Sequence, residues 1–121
     1  MKSRETGRLG ERLAADYLKQ CGYQIIDTNY HCRGGEIDIV ASRDGSLVFV
    51  EVKARRTSSF GTPEESVTDA KKKRLIEAAL SYRQQNEDLP VSWRIDFVSV
   101  IFGKQGEKPR IELIENAVTG D

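Results

Sequence analysis

The sequence of 121 residues predicts a single α/β domain in which a mixed central sheet is flanked by helices. Two observations support this class. Residues 35–55 contain two apolar segments joined by Asp44-Gly45, which is typical of two strands and a tight turn. Residues 6–21 and 66–85 instead repeat apolar side chains at helical spacing. The expected order is helix, three strands, helix and two strands, with the remaining strands at 23–30, 92–102 and 110–114.

The first helix carries Leu9, Leu13 and Tyr17 four residues apart, which builds one apolar stripe. Glu11 lies at the edge of this stripe, where an acidic residue is either an ordinary boundary residue or one that faces a site. Gly10 lies within the stripe, so we expect another element to approach the helix closely there.

Gly22 suits the left-handed position that ends this helix, and the first strand follows at 23–30. Arg33-Gly34-Gly35 then turns the chain into the central hairpin. Such a turn can present Arg33 to a ligand, although the two glycines are also explained as ordinary turn residues.

The Asp-Gly dipeptide of the hairpin favours a type I′ turn, in which both central residues need a positive φ. The register that follows from a two-residue turn places Asp38 opposite Glu51. The next pair on the same face is Glu36 opposite Lys53. The sequence therefore predicts a cluster of charged side chains at one end of the hairpin.

Two carboxylates that face each other across neighbouring strands repel, and the pair is destabilising unless a cation lies between them. Mg²⁺ suits this position because it prefers one or two carboxylates and completes its shell with water, and Mn²⁺ is the alternative ion. Lys53 lies two residues beyond Glu51, where an ammonium can bind a phosphate oxygen or orient an attacking water. The sequence therefore predicts a metal site at Asp38 and Glu51.

Charged residues on a hairpin are more often part of a solvated surface. The apolar residues argue otherwise here, because strands that are apolar on both faces belong inside a sheet. One face is expected to carry Ile37, Ile39, Val48, Val50 and Val52, and the other Val40, Leu47 and Phe49.

Asp38, followed on the next strand by Glu51-Val52-Lys53, resembles the PD-(D/E)XK nuclease signature, with Ile37 where the signature has proline. That change affects turn geometry more than chemistry. The wider sequence resembles the YraN-like family of small bacterial proteins. The segments that carry this resemblance are GRLGERLAADYL (7–18), GEIDIV (35–40), FVEVKAR (49–55), FGTPEESV (60–67) and RIDFVSV (94–100).

This resemblance implies a restriction-endonuclease-like fold, similar to that of Holliday-junction resolvases, and a metal-dependent nuclease site. Asp38 and Glu51 would hold Mg²⁺, and Lys53 would position the attacking water. The superfamily often carries an acidic residue on its first helix that supplements the metal site, and Glu11 stands at that position.

The chain has 19 basic and 19 acidic residues, and zero net charge argues against a highly basic nucleic-acid coat. The region from residue 53 to 74 nevertheless holds seven basic residues against three acidic ones, a surplus of four positive charges that could face phosphates or simply be solvated. Arg55 and Arg56 of this region, together with Arg33, are therefore candidate nucleic-acid contacts.

The second helix is expected to begin at Ser66, with Asp69 completing a capping-box-like pair. Lys71 falls on its buried face, which is unfavourable unless the ammonium reaches solvent or meets an anion. Lys71 is therefore a candidate phosphate contact, with a side chain that only extends to solvent as the alternative.

Asp96 interrupts the apolar run of the fourth strand. It either joins the carboxylates of the hairpin or forms an ion pair, and we expect the ion pair, with Arg94 as the first partner.

Cys21, Cys32 and His31 supply at most three of the four ligands that a structural zinc site needs. The sequence shows no secretory leader and no apolar run near 18 residues. We therefore expect a cytoplasmic protein that does not contact membranes. The expected partner is nucleic acid, DNA before RNA, and a homodimer is one of the assemblies left open.

Three functions are compatible with these sequence features. The first is a Mg²⁺-dependent endonuclease that acts on DNA, with branched or structured DNA as the expected substrate class. The second is a nucleic-acid-binding module that keeps the fold without cutting, and the third is a scaffold whose carboxylates only form ion pairs. Opposed carboxylates favour the enzyme, because a binding module does not need them.

Overall fold

A computed structural model of the protein describes residues 3–56, 68–104 and 106–118, with side chains from Thr6 onward. Its order of elements confirms the predicted one. The elements are α1 (Ser3–Gln20), β1 (Gln24–Cys32), β2 (Gly35–Arg43), β3 (Ser46–Arg55), α2 (Asp69–Gln85), β4 (Trp93–Ile101) and β5 (Arg110–Val118). Most of the loop predicted at 56–65, and the expected helix start at Ser66, lie outside the described residues.

The five strands form one sheet in the order β1-β2-β3-β4-β5. Strands β3 and β4 are parallel, and the other neighbours are antiparallel. The sheet is therefore mixed, as predicted, because the chain crosses from β3 to β4 through α2. This arrangement is compatible with a restriction-endonuclease-like fold.

The helices cover opposite faces of the sheet, and each builds a core of its own. What we call the α1 core consists of buried residues beneath α1, and the α2 core consists of those beneath α2. The α1 core contains Ala14, Leu18, Tyr23, Ile39, Ala41, Val48, Val50, Val98 and Val100. The α2 core contains Ile37, Val40, Leu47, Phe49, Leu75, Ala78, Ala79, Tyr82, Ile95 and Val118.

The central hairpin is therefore apolar on both faces, as the sequence predicts. Its expected division between the faces is correct except for Ile37, which lies in the α2 core rather than beside Ile39. The regular alternation of β2 is thus interrupted between these two residues, at Asp38.

The hairpin register is confirmed near the turn and wrong beyond it. Asp44 and Gly45 both have positive φ (51° and 81°), as a type I′ turn requires. Five facing pairs follow, and the last of them joins Ile39 to Val50. The ladder of facing residues ends there, so neither predicted pair beyond it forms: Asp38 does not face Glu51, and Glu36 does not face Lys53. The physical reason is that β2 separates from β3.

Glu36 pairs instead with His31 of β1, and His31 Nδ1 lies 3.1 Å from Glu36 Oε2. Lys53 pairs in register with Ser99 of β4. Both residues of the expected pair thus lie beside a different strand, because β2 stays with β1 while β3 stays with β4.

Several element boundaries differ from the sequence predictions; β1, for example, continues to Cys32 instead of ending at residue 30. Helix α2 begins at Asp69, and its N-cap is Thr68, whose side chain accepts a hydrogen bond from the Lys71 N–H at 3.2 Å. Threonine is one of the preferred N-cap residues, because its side-chain oxygen satisfies a free amide of the first turn. The last strand continues to Val118 instead of ending at 114, because its pairing with β4 resumes beyond an irregularity between Ile95 and Phe97.

Asp96 forms the expected ion pair and stands apart from the hairpin carboxylates. Its buried carboxylate accepts hydrogen bonds from Tyr23 Oη at 2.6 Å, Arg94 Nε at 3.0 Å and the Asn116 N–H at 2.8 Å. These donors come from three different parts of the chain. Asp96 therefore ties β5 and the residue that precedes β1 to β4.

Within the described residues, neither helix is long and apolar enough to cross a membrane.

Gly10 of α1 lies against Ala54 of β3, and a Cβ built on Gly10 would overlap the Ala54 side chain. The close approach expected from the sequence is therefore confirmed. Gly7, three residues earlier on the same helix, has no atom within 4 Å of the place where its Cβ would lie.

We expect Gly10→Ala to lower the free energy of unfolding by about 1–3 kcal/mol, because the added methyl group forces α1 away from the sheet. Gly7→Ala is the matched control and should raise stability by up to about 1 kcal/mol, since alanine favours the helix. Urea denaturation of both variants measures the difference. Equal effects of the two substitutions would contradict the close packing.

Candidate active site

Asp38 lies where β2 and β3 separate. Its Oδ2 accepts a hydrogen bond from the backbone N–H of Val52 at 2.7 Å. The side chain thus takes the place that a strand carbonyl would occupy if the hairpin continued. Because it lies in the gap between the two strands, Asp38 can reach groups on either face of the sheet.

Glu51 follows Val50, the last residue of β3 that pairs with β2. Alternation along β3 places its side chain on the same face as Phe49, which belongs to the α2 core. The Glu51 side chain is only 15% exposed, and Lys71 Nζ of α2 lies 3.5 Å from its Oε1.

Lys71 therefore meets an anion, which is one of the conditions under which a buried-face lysine is tolerated. That anion is the Glu51 carboxylate. The ammonium reaches it from the first turn of α2, just after the Thr68 cap. A phosphate contact by Lys71 stays a prediction.

Glu11 approaches Asp38 from the opposite face. The pKa of Glu11 is raised above its ordinary value, first by burial and then by the Asp38 charge and a hydrogen bond with Asp38. Helix α1 therefore brings its acidic boundary residue to the carboxylates of the hairpin.

The pKa values of the hairpin carboxyls describe a crowded acidic site. Burial raises the pKa of Glu51 to about 7, the Asp38 charge adds to this rise, and Lys71 opposes it. Burial also raises the pKa of Asp38, while the Val52 N–H lowers it. Contact between Asp38 and Glu51 contributes to both pKa values. The predicted closeness of these two carboxyls is thus confirmed, although they are not a facing pair of the ladder.

Lys53 lies two residues beyond Glu51, on the same face and about 6–7 Å further along β3. Its side chain is exposed, so its ammonium is hydrated and free to turn toward a bound anion. This position agrees with the geometry expected from the sequence.

A cleft of about 540 Å³ opens beside Glu51, between the β1–β2 turn and the start of α2. Arg33 and Lys71 line it, as does Arg74, which is not among the residues predicted from the sequence. Arg74 follows Lys71 by three residues, and this helical spacing is the signal that could have identified it. Three basic side chains therefore line the approach to Glu51, together with the acidic Glu36.

The two glycines between β1 and β2 are explained by close contact with α2 and not by turn geometry. Neither Gly34 nor Gly35 has a positive φ. A Cβ on Gly35 would overlap the carbonyl oxygen of Arg74, and a Cβ on Gly34 would overlap the Glu77 side chain. Glycine is therefore needed where the turn passes against α2, and that contact holds Arg33 at the cleft.

Arg55 and Arg56 lie further from the carboxylates: Arg55 is the last residue of β3, and Arg56 follows it. Arg55 is half-buried, whereas Arg56 is exposed and lines a different pocket. The structure thus brings Glu11, Asp38, Glu51 and Lys71 together and leaves these two arginines apart.

The donor set suits a hard divalent cation. Among the described residues, no group of three or more His, Cys, Asp or Glu side chains is arranged to hold a metal ion by itself. Mg²⁺ needs no such group, because it binds through one or two carboxylates and retains several waters. Two half-buried carboxyls whose pKa values are raised by burial would be relieved by such a cation.

The fold and this site define the class: an α/β protein, compatible with the restriction-endonuclease-like fold, that joins an aspartate to a Glu-X-Lys strand. Residues 10–100 match the sequence model of the "Uncharacterised protein family UPF0102", and the chain belongs to that family. The YraN-like resemblance seen in the sequence is thereby confirmed.

Similar relatives span nearly the whole chain. A UPF0102 protein of Dehalococcoides mccartyi is 49% identical over 115 residues, which cover 95% of this chain and 93% of the relative. Another from Renibacterium salmoninarum is 47% identical over 108 residues, covering 89% and 91%. A third from Geobacter sulfurreducens is 46% identical over 111 residues, covering 92% and 86%.

The raised pKa of Glu51 predicts how stability depends on pH when metal is chelated. The folded protein holds a proton on Glu51 up to about pH 7, whereas the unfolded chain releases it near the ordinary value of 4.5. The stability associated with this proton is therefore complete below pH 4.5 and is lost as the pH rises through 7.

Glu51→Gln should remove this dependence and stabilise the metal-free protein at pH 8 by up to about 3 kcal/mol, less what the unpaired Lys71 costs. Urea denaturation between pH 4 and 8 in EDTA measures the effect. Asp16→Asn, at an exposed position of α1, is the control. A Glu51→Gln curve that runs parallel to the wild-type curve would rule out a raised pKa.

Proposed function

We propose that the protein is a Mg²⁺-dependent endonuclease that hydrolyses phosphodiester bonds in DNA, with branched or structured DNA as its substrate class. The observation that carries this proposal is the contact between Asp38 and Glu51 in a half-buried position beside basic side chains. A fold has little use for such a pair, because burial and the Asp38 charge together raise the cost of ionising Glu51. A nuclease needs it.

Asp38 and Glu51 are the residues that would hold the ion, with Glu11 as a supplementary ligand through its contact with Asp38. When bound, the ion polarises the scissile phosphate and lowers the pKa of water. The Val52 N–H fixes the Asp38 carboxylate in one orientation at 2.7 Å. A rigid backbone donor of this kind keeps the carboxylate in place without ordering a further side chain.

Lys53 is exposed and lies one same-face step beyond Glu51, so its ammonium can orient the attacking water or neutralise a phosphate oxygen. Lys71 Nζ lies 3.5 Å from Glu51 Oε1. When a cation binds the Glu51 carboxylate, the Lys71 ammonium can instead form an ion pair with a substrate phosphate. Arg33 and Arg74 line the same cleft and add positive charge for the DNA strand.

The cytoplasmic location that the sequence predicts and the homodimer that it leaves open are part of this proposal. A cytoplasmic enzyme would have access to chromosomal DNA. The homodimer would provide two sites for a substrate with two strands to cut.

Asp38→Asn and Glu51→Gln should each reduce Mg²⁺-dependent cleavage at least about 100-fold, because loss of a direct metal ligand costs at least as much as loss of a residue that supports one. Lys53→Ala should also suppress cleavage while leaving metal affinity nearly unchanged. Glu11→Gln should do less harm. Cleavage of branched, flapped, single-stranded and double-stranded DNA with Mg²⁺ or Mn²⁺ measures these effects, and calorimetry measures metal binding.

Asp16→Asn is the matched control, since it removes an exposed carboxylate from the same helix as Glu11. Cleavage that survives Asp38→Asn would show that the activity belongs to another site or to a contaminant. Wild-type protein that binds these DNAs but cuts none of them would instead favour the non-catalytic binding module.

A further inference from the structure

A second concave surface lies at the end of the sheet where β3 and β4 finish and β5 begins. This pocket has a volume of about 550 Å³, and we call it the basic pocket. Of its eight lining residues, four are basic, one is acidic and three are uncharged. The full lining is Arg56, Lys104, Lys108, Arg110, Glu107, Ile101, Phe102 and Gly103.

The strand register relates the basic pocket to the candidate active site. Arg55 pairs with Ile101 of β4, and Ile101 pairs with Arg110 of β5. Glu51 precedes Arg55 by four residues, so alternation places Arg110 on the same face of the sheet as Glu51. The distance along the strands between these two rows is about 13 Å.

We propose that the basic pocket binds a backbone phosphate of the DNA strand whose scissile phosphate lies at Asp38 and Glu51. This inference rests on the proposed function and adds a substrate-anchoring site to it. Because Arg110 lies two strands across from β3, the separation between the two places is about 16 Å, a span of a few successive nucleotides of one strand. One strand laid across this face could therefore occupy both places.

The charges of the pocket suit a phosphate. Lys104, Lys108 and Arg110 all reach solvent at the rim of the pocket, so binding an anion there requires little desolvation of the protein. Two acidic groups compete with a phosphate: Glu107 lines the pocket, and Glu112 Oε1 lies 3.6 Å from Arg110 Nε. Ion pairs on the surface contribute little to stability, so a phosphate can replace this one.

The test measures DNA binding without cutting, by fluorescence anisotropy of labelled single-stranded, duplex and flapped DNA in EDTA. Lys108→Gln and Arg110→Gln should each weaken binding roughly 5- to 10-fold at 100 mM salt and reduce the slope of log affinity against log salt by about one. Glu107→Gln should act in the opposite direction. Lys19→Gln, an exposed lysine in the last turn of α1, should change neither quantity.

Melting temperatures of the variants verify that each one is folded. If wild-type protein cleaves DNA, Lys108→Gln and Arg110→Gln should raise KM and leave kcat nearly unchanged, because the pocket holds the strand away from the reacting atoms. If these variants lose DNA binding and wild-type protein shows no cleavage, the phosphate-binding role of the basic pocket is supported and the proposed nuclease activity is refuted. The proposal that the basic pocket binds a DNA phosphate would be overturned if the variants kept the wild-type affinity and salt slope. It would also be overturned if wild-type protein bound no DNA.

Discussion

The candidate site depends on one hydrogen bond, which the backbone N–H of Val52 donates to the side chain of Asp38 at 2.7 Å. A backbone amide enclosed in a sheet must find an acceptor. Here a carboxylate supplies it, so β2 can leave β3 while β3 stays paired with β4. This separation gives Asp38 its position in the gap, where it meets Glu11 from one face and Glu51 from the other.

The buried Asp96 and the half-buried Asp38 illustrate how surroundings separate a structural carboxylate from a reactive one. Asp96 is fully buried and receives hydrogen bonds from Tyr23, Arg94 and the Asn116 amide, so its charge is compensated by fixed donors. Asp38 is surrounded mainly by other carboxyls, and burial raises its pKa. The first arrangement stabilises the sheet as it stands. The second becomes favourable only when a cation or protons are added.

Lys71 moderates the acidic site in the metal-free protein. Its ammonium, 3.5 Å from Glu51, opposes the rise in the pKa of that carboxyl. The Thr68 cap and the close passage of Gly35 against α2 hold the first turn of the helix next to the hairpin. Helix α2 therefore serves both as cover for one core and as the source of positive charge at the cleft.

The sequence alone determined the order of elements, the Asp44-Gly45 turn and the presence of two acidic residues on adjoining strands. These follow from local preferences: positive φ at a turn, and a period of two along a strand. The separation of the strands at Asp38 was not predictable, because a register read from the turn assumes that pairing continues.

Tertiary structure also decided that Lys71 meets Glu51 and that Arg74 lines the cleft. The approach of Glu11, which the sequence only suggested, became a contact with Asp38 through the packing of α1. These residues lie far apart in the chain, and their meeting depends on how each helix packs on its face of the sheet. No periodicity within a single element contains that information.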